Sequence, residues 1–374
     1  MKPLIPYLTC ATLARTADEG VGIAVVLLAQ QRTHSAGIAA AVLAAWMAPH
    51  VVAAPAAGAL AARVRRPAVF YRGALAGFAV AVGALTLCVG QAPLGVVLGV
   101  AVAGGACGPA VTGGLSSVLA ELTGEDERAR AYGLDAATYN VAGLGGPALV
   151  TLVAALAGAG VAGTVLAAAA GAAAVCFPRG VRAIPGERAP KSSGLRALWR
   201  IRPLRAVTAG TTLAFVGVGG LTLTAVQLEE SRGYPGAGGV LLTVFAGGAL
   251  AGALAVARRP PRAAPPRIAA YSLLGTGAAL AGAAVVEPFA GCAALFAVAG
   301  FFDGPLLTAT LRIRADHAPA GVRTQVFTLG AGFKITAAAT GAALTGVVAG
   351  SGPATVLLGI AALQGAAAEV VRRA

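Results

Sequence analysis

A chain of 374 residues with 57% hydrophobic and only 11% charged side chains is not an ordinary soluble protein, whose charged share is about 25%. Its net charge of +14 is spread over short gaps between apolar runs, which excludes a concentrated nucleic-acid-binding face. The five cysteines (Cys10, Cys88, Cys107, Cys176 and Cys292) sit inside apolar runs without metal or disulfide spacing, so neither a metal centre nor a cofactor is expected.

About 20 apolar residues cross a hydrocarbon core of roughly 30 Å. Runs of that kind predict twelve transmembrane helices, over 4–30, 35–60, 67–90, 93–119, 131–156, 159–177, 204–228, 236–257, 268–286, 289–311, 324–349 and 353–371. The predicted class is an all-α membrane protein of two six-helix halves, 1–177 and 204–374, joined by a central loop over 178–203.

The first run follows Lys2 as a secretory leader would, but Arg15, Asp18 and Glu19 interrupt it and no small-residue cleavage site follows, so the helix is retained. Spacings of i+3 and i+4 place both carboxylates on the face of Arg15. Arg15 lies some 16 Å along the helix, near mid-depth. A charge there costs at least ~2.5–3.5 kcal/mol unless it meets a cavity or a partner. Two acids against one base leave a carboxylate to titrate or to hold substrate; the alternative is a structural ion cluster between helices.

In the second span, His50 after Pro49 reads as a packed histidine at a kink. A basic stretch from Gly58 through Arg63, Arg65 and Arg66 closes that span. In the fifth, Asp135 lies near the cytoplasmic end and is a gate candidate, facing either those arginines or the basic residues after the tenth span. Tyr139 and Asn140 can touch substrate or hydrogen-bond between helices, and Gly146-Pro147 is a hinge candidate.

The central loop ends in Leu195-Arg196-Ala197-Leu198-Trp199-Arg200-Ile201, either an interfacial helix with Trp199 at headgroup depth or a plain linker. Gln227, Glu229 and Glu230 read as interfacial, and His34 and His317 as loop residues. Asp303 in the tenth span and Lys334 in the eleventh share a depth, so they can pair as a coupling site or as a static lock, with Gly304-Pro305 beside them as a second hinge candidate.

Placing the N-terminus in the cytoplasm puts 24 of the 28 basic residues on that side, with only Arg32 and Arg232 outside, so both termini are expected there. The Ala/Gly/Arg-rich composition suggests a bacterial inner membrane. The halves also repeat. Gly58 to Arg66 matches Gly252 to Arg259, Gly108-Pro109 to Thr112 matches Gly304-Pro305 to Thr308, and Arg128 to Leu149 matches Arg323 to Leu344, all at offsets of 194 to 196.

With six plus six helices, a long central loop and a basic loop after the second helix, the chain resembles the major facilitator superfamily. The Gly58 to Arg66 stretch is similar to that family's signature, with Ala62 where an acidic residue is usual. The resemblance implies two bundles rocking about a central cavity lined by helices 1, 4, 7 and 10. Thr138 to Thr151 resembles the glycine-proline signature of drug antiporters through Gly146-Pro147, which favours export. The arginine that many proton-coupled exporters carry in helix 4 is absent from residues 94–107.

The expected function is secondary transport, with proton-coupled export of a small organic compound ahead of uptake or uniport of a solute such as a sugar. The expected partners are that small molecule, protons and the lipid bilayer, and the expected state is a monomer. No Gly-x-x-x-x-Gly-Lys-Ser/Thr sequence occurs, which excludes nucleotide hydrolysis by that route. Three scattered histidines argue against an intramembrane enzyme, while a non-transporting receptor or assembly protein would have no need of mid-membrane charges in two regions.

Overall fold

The computed structural model describes residues 4–61, 64, 66–178, 181, 193–234 and 239–373, and these are helical, with no strand among them. The first span is α1 (Leu4–Thr33). The second is broken into α2 (Ala36–Met47) and α3 (Pro49–Ala61), because Pro49 has no N–H to continue the ladder. The third is α4 (Pro67–Cys88), and the fourth runs through α5 (Leu94–Gly105), a π-helical turn over Ala110–Gly114, and α6 (Leu115–Leu122). Then come α7 (Arg128–Ala157), α8 (Ala159–Cys176) and a short α9 (Ser193–Arg200). The remaining six are α10 (Arg202–Ser231), α11 (Val240–Arg258), α12 (Pro265–Val285), α13 (Phe289–His317), α14 (Arg323–Val348) and α15 (Pro353–Arg372).

Eleven of these spans are long and apolar enough to cross a membrane by length and composition. The twelfth is α1, which is 30 residues long but carries Arg15, Asp18 and Glu19 through its middle. One boundary moves appreciably. Helix α13 continues to His317, which brings Arg312, Arg314 and His317 out of the expected loop and into the helix. Asp316 supports that extension by pairing with Arg312 at 3.5 Å and Arg128 at 2.9 Å, and His317 Nδ1 lies 3.0 Å from the Ile313 carbonyl.

By internal contacts the chain forms two compact units, residues 1–124, 141–194 and 319–332 in unit 1, and residues 125–140, 195–318 and 333–374 in unit 2. The boundary expected from sequence halves therefore differs at two segments. The start of α7 belongs to unit 2, where Gly133 lies so close to α11 that a Cβ would come within 2.8 Å of the Ala257 nitrogen. There Ala136 and Ala137 share a buried cluster with Ala253. The start of α14 belongs to unit 1, where a Cβ on Gly58 would lie 2.6 Å from the Gln325 Cα and one on Gly113 2.5 Å from the Phe327 carbonyl.

The repeat is visible in the packing. In unit 1, α1 and α4 both pack on α8, and α2 packs on α5. In unit 2, α10 and α12 both pack on α15, and α11 packs on α13. Small residues make the last contact close: Gly248, Gly252, Gly300 and Gly304 each meet backbone of the facing helix, leaving no room for a side chain.

Arg32 and Arg232, the two exceptions to the charge asymmetry, occupy equivalent places in this repeat. Arg32, at the end of α1, donates from Nη1 to the Thr86 and Val89 carbonyls at 2.8 and 2.9 Å, closing the C-terminus of α4. Arg232, just after α10, donates from Nη2 to the Ala283 carbonyl at 2.8 Å, closing the C-terminus of α12. A cation at a helix C-terminus meets the unsatisfied carbonyls and the negative end of the dipole.

Glu229, expected at the membrane interface by its place near the outer end of α10, is 2% exposed. Its Oε2 and Oε1 accept the Gly239 and Leu241 amides at 3.2 and 3.0 Å, so it caps the N-terminus of α11. Gly239 enters that cap at φ +91°, a conformation that favours glycine.

Candidate functional site

Two groups of charged side chains lie near the middle of long apolar helices, one in each unit. In unit 1, α1 carries all three charges within five residues. Arg15 is 1% exposed and donates from Nη2 to Ser116 Oγ of α6 at 2.9 Å. Asp18 is half-buried with Glu19 and Arg15 as its charged neighbours, while Glu19 is exposed. The expected common face is therefore graded, with the guanidinium at the packed side and the second carboxylate outermost.

Arg15 also reaches a second helix, a link the sequence reading lacked, and its partner Ser116 lies two residues after the π-helical turn. That turn begins after Pro109, whose ring and missing amide disrupt the regular ladder. The Thr112 hydroxyl donates to the Gly108 carbonyl at 3.2 Å. In the repeat, Thr308 makes the same bond to Gly304 at 3.0 Å.

The two hinge candidates lie inside unbroken helices, since α7 runs through Pro147 and α13 through Pro305. Gly146 instead marks a close approach, where a Cβ would lie 2.8 Å from the Thr16 carbonyl of α1. Gly304 does the same against Ala249 and Ala253 of α11.

In unit 2, Asp303 lies halfway along α13, 14 residues from either end. It shares a cavity of about 20 Å³ with Lys334 of α14, Arg314 and Thr310 of α13, and Thr211 and Phe215 of α10. Lys334 is the charge acting on Asp303, and its Nζ stands 4.1 Å from the centre of the Phe215 ring. The juxtaposition expected from equal depth is present.

Arg314 was missed because the predicted span stopped at 311. It is 4% exposed and stands on the same face of α13, eleven residues after Asp303, with Leu307 and Thr310 at helical spacing between them. Arg314 Nε and Thr310 Oγ1 are buried without a hydrogen-bond partner. The cavity therefore holds two cations, one carboxylate and unsatisfied polar atoms, with room for about one water. Proton or water traffic fits this volume; an organic solute does not.

The other sequence candidates are more dispersed. Asn140 donates from Nδ2 to its own helix, at the Ala136 carbonyl, 3.1 Å away. Asp135 is fully buried in unit 2, and its carbonyl accepts the Thr138 hydroxyl at 2.8 Å. Arg128 makes an ionic link at that end of α7, pairing with Asp316 at 2.9 Å and Glu125 at 3.7 Å. Arg66 is exposed at the start of α4, while Arg63 and Arg65 of the signature loop, like most of the central loop, lie outside the described residues. His50 packs on Gly108 at the α2–α3 break.

Unit 1 also holds a hydroxyl cluster that no sequence motif announces. Tyr71 Oη stands 3.2 Å from both Ser117 Oγ and Thr324 Oγ1, which are 3.1 Å from each other. The neighbouring Gln325 accepts the Gly194 amide at the start of α9, 2.8 Å away.

These features sit in a fold shared with solved transporters. The human organic anion transporter TETRAN is 16% identical, covering 99% of each chain with a TM-score of 0.79. The E. coli fucose:proton symporter is 14% identical, covering 100% of this chain and 98% of that one, with a TM-score of 0.77. A bacterial homologue of the iron transporter ferroportin, in an outward-facing state, is 14% identical, covering 100% and 99%, with a TM-score of 0.79. No curated protein matches the sequence. The sequence itself matches the Major Facilitator Superfamily over residues 7–331, and this multi-pass membrane protein belongs to that family of transporters.

Proposed function

We propose that the protein is a proton-coupled exporter of a small organic compound, working by alternating access in a bacterial cytoplasmic membrane. Both termini face the cytoplasm on this reading, because 24 of the 28 basic residues then lie on that side. It acts as a monomer and performs no covalent chemistry.

One observation carries the coupling assignment. Asp303 stands at the midpoint of α13 beside Lys334, in a cavity too small for an organic solute that Arg314 also lines. Mid-membrane charges are expensive to keep, and a carboxylate that can exchange a cationic partner for a proton gives a transporter its coupling step. Asp18 and Glu19, with Arg15 able to neutralise only one of them, are the substrate-facing or second proton-carrying groups. Asn140 on α7 is a solute contact, and Asp135 and the signature arginines Arg63, Arg65 and Arg66 are gating residues.

The test uses everted vesicles acidified inside by respiration and loaded with a pH-sensitive dye. A panel of organic cations, organic anions and sugars is added in turn. An exported compound alkalinises the lumen of wild-type vesicles, and Asp303→Asn removes that response while the protein still inserts. Uptake by symport would reverse the sign of the dye response in right-side-out vesicles. Wild-type responses from Asp303→Asn, Asp18→Asn and Glu19→Gln together would overturn the site assignment.

A further inference from the structure

A groove of about 400 Å³ runs along the side of unit 2, with Leu198 and Trp199 of α9 at one end, Arg205, Leu213 and Val216 of α10 along its length, and Phe333 of α14. From Arg205 to Val216 it follows α10 for about 16 Å, close to half of a hydrocarbon core of roughly 30 Å. The groove is thus as long as one leaflet is thick.

Its polarity is confined to one end. Arg205 donates from Nη1 to the Trp199 carbonyl at 3.2 Å, holding the C-terminus of α9 against α10. Arg196, Arg200 and Arg202 are exposed around the same short helix, and among the described residues no carboxylate lines the groove. One turn further in, Thr208 Oγ1 is buried without a hydrogen-bond partner. Trp199 is 72% exposed, as an indole at headgroup depth would be.

A second groove, between α12 and α15, makes the contrast. It has Arg267 and Arg372, but Glu369 also lines it, pairing with Arg372 at 2.8 Å and with the neighbouring Arg373 at 2.6 Å. Part of its positive charge is thus spent within the protein.

We propose that the groove beside α9 is a binding site for an anionic phospholipid. One acyl chain lies along Leu213, Val216 and Phe333, the phosphate sits at Arg205 within the field of Arg196, Arg200 and Arg202, and the Thr208 hydroxyl serves the glycerol ester region. Each arginine near an anionic lipid surface is worth about a fivefold preference. The proposal does not rest on the transport reading.

The protein carries its own reporter, because of its two tryptophans Trp46 is 4% exposed and Trp199 lies in the groove. Trp46→Phe is reconstituted in phosphatidylcholine vesicles containing, at equal mole fraction, either phosphatidylglycerol or phosphatidylcholine with brominated acyl chains. If Trp46→Phe does not fold, the difference between wild type and Trp199→Phe gives the same Trp199 signal.

The brominated anionic lipid is expected to quench Trp199 at about one-fifth the mole fraction needed for the zwitterionic one. Arg205→Gln should shrink that preference, Arg205→Lys should keep most of it, and Ala209→Phe, which fills the groove, should reduce quenching by both lipids. Equal quenching by the two lipids, an unchanged preference in Arg205→Gln, or displacement by free inorganic phosphate would overturn the proposal.

Discussion

Substituting Asp303, Lys334 or both separates a three-charge site from a simple pair. Wild type places one carboxylate and two cations around a cavity of about 20 Å³, room for about one water. Asp303→Asn leaves Lys334 and Arg314 together without their anion. Losing one partner of a buried ion pair costs about 3–5 kcal/mol, and because Asp303 is half-buried the lower end applies. About 3 kcal/mol corresponds to roughly a hundredfold change in the folded-to-unfolded ratio.

Lys334→Met tests whether Arg314, which lines the same cavity eleven residues further along α13, also balances the Asp303 charge. The cation–π contact with Phe215 is lost, but the thioether can pack on the same ring, so the net cost is about 1 kcal/mol. The double substitution returns the site to its wild-type net charge and recovers most of the stability lost by Asp303→Asn, while transport stays absent because the carboxylate is gone. Thermal unfolding in detergent, followed with a thiol-reactive dye that reaches the buried Cys10 and Cys292 only on opening, gives the stabilities. Flux in proteoliposomes gives the function. If Lys334→Met destabilises as much as Asp303→Asn, or the double variant is no better than the carboxylate variant, Arg314 does not share the charge balance and the argument fails.

Ser116→Ala removes the acceptor that Arg15 reaches across to α6. A hydrogen bond to a charged group is worth about 1.5–3 kcal/mol, so a loss in that range is expected by thermal unfolding, with flux reduced but not abolished; unchanged unfolding would mean the bond contributes nothing. Gly304→Val puts side-chain atoms into the backbone of Ala249 and Ala253 and should abolish folded protein in size-exclusion chromatography, whereas Gly247→Ala, on the same α11–α13 pair but facing open space, should elute as wild type. Glu229→Gln weakens the cap on α11 by about 1 kcal/mol, and hydrogen exchange at the Leu241 amide should rise about fivefold while amides at the middle of α13 stay protected.

The helices were legible because lipid imposes a length and a composition that few sequences meet by chance, and two further features followed, one from ordering the matches between halves and one from counting depth along the spans. The repeat emerged as a common packing scheme, α1 and α4 on α8 and α10 and α12 on α15. The depth argument brought Asp303 to Lys334. Charge counting worked less well where charges serve helix ends. Arg32, Arg232 and Glu229 were read by their distance from the bilayer, although what positions each of them is a set of unsatisfied carbonyls or amides on a neighbouring helix. Hydropathy does not record such partners.

Arg314 shows the same limit from the other side. A basic residue near the end of a hydrophobic run looks like a loop charge, and its burial depends on Asp316 and Arg128 extending the helix around it. Once α13 is allowed to continue to His317, the spacing Asp303, Leu307, Thr310, Arg314 marks a single face. The Tyr71, Ser117 and Thr324 cluster offers no such recovery, since Thr324 is more than 200 residues from its partners and hydroxyls carry no hydropathy signal.

The π-helical turn after Pro109 links these observations to function. The sequence presents Gly108-Pro109 and Gly304-Pro305 as equivalents, yet only the first interrupts its helix. Gly304 is held between Ala249 and Ala253 of α11, so the backbone there is supported on its packed side through the proline. The nearest neighbour of Gly108 is the imidazole of His50, a side chain that can yield, at a point where the second span is itself broken. The more deformable member of the repeat thus opens the π-helical turn that ends two residues before Ser116, the partner of Arg15, and the more rigid member adjoins Asp303. A chain that keeps Asp303 on a firm helix and ties its other charged cluster to a yielding one has a structural reason for the two halves to have diverged.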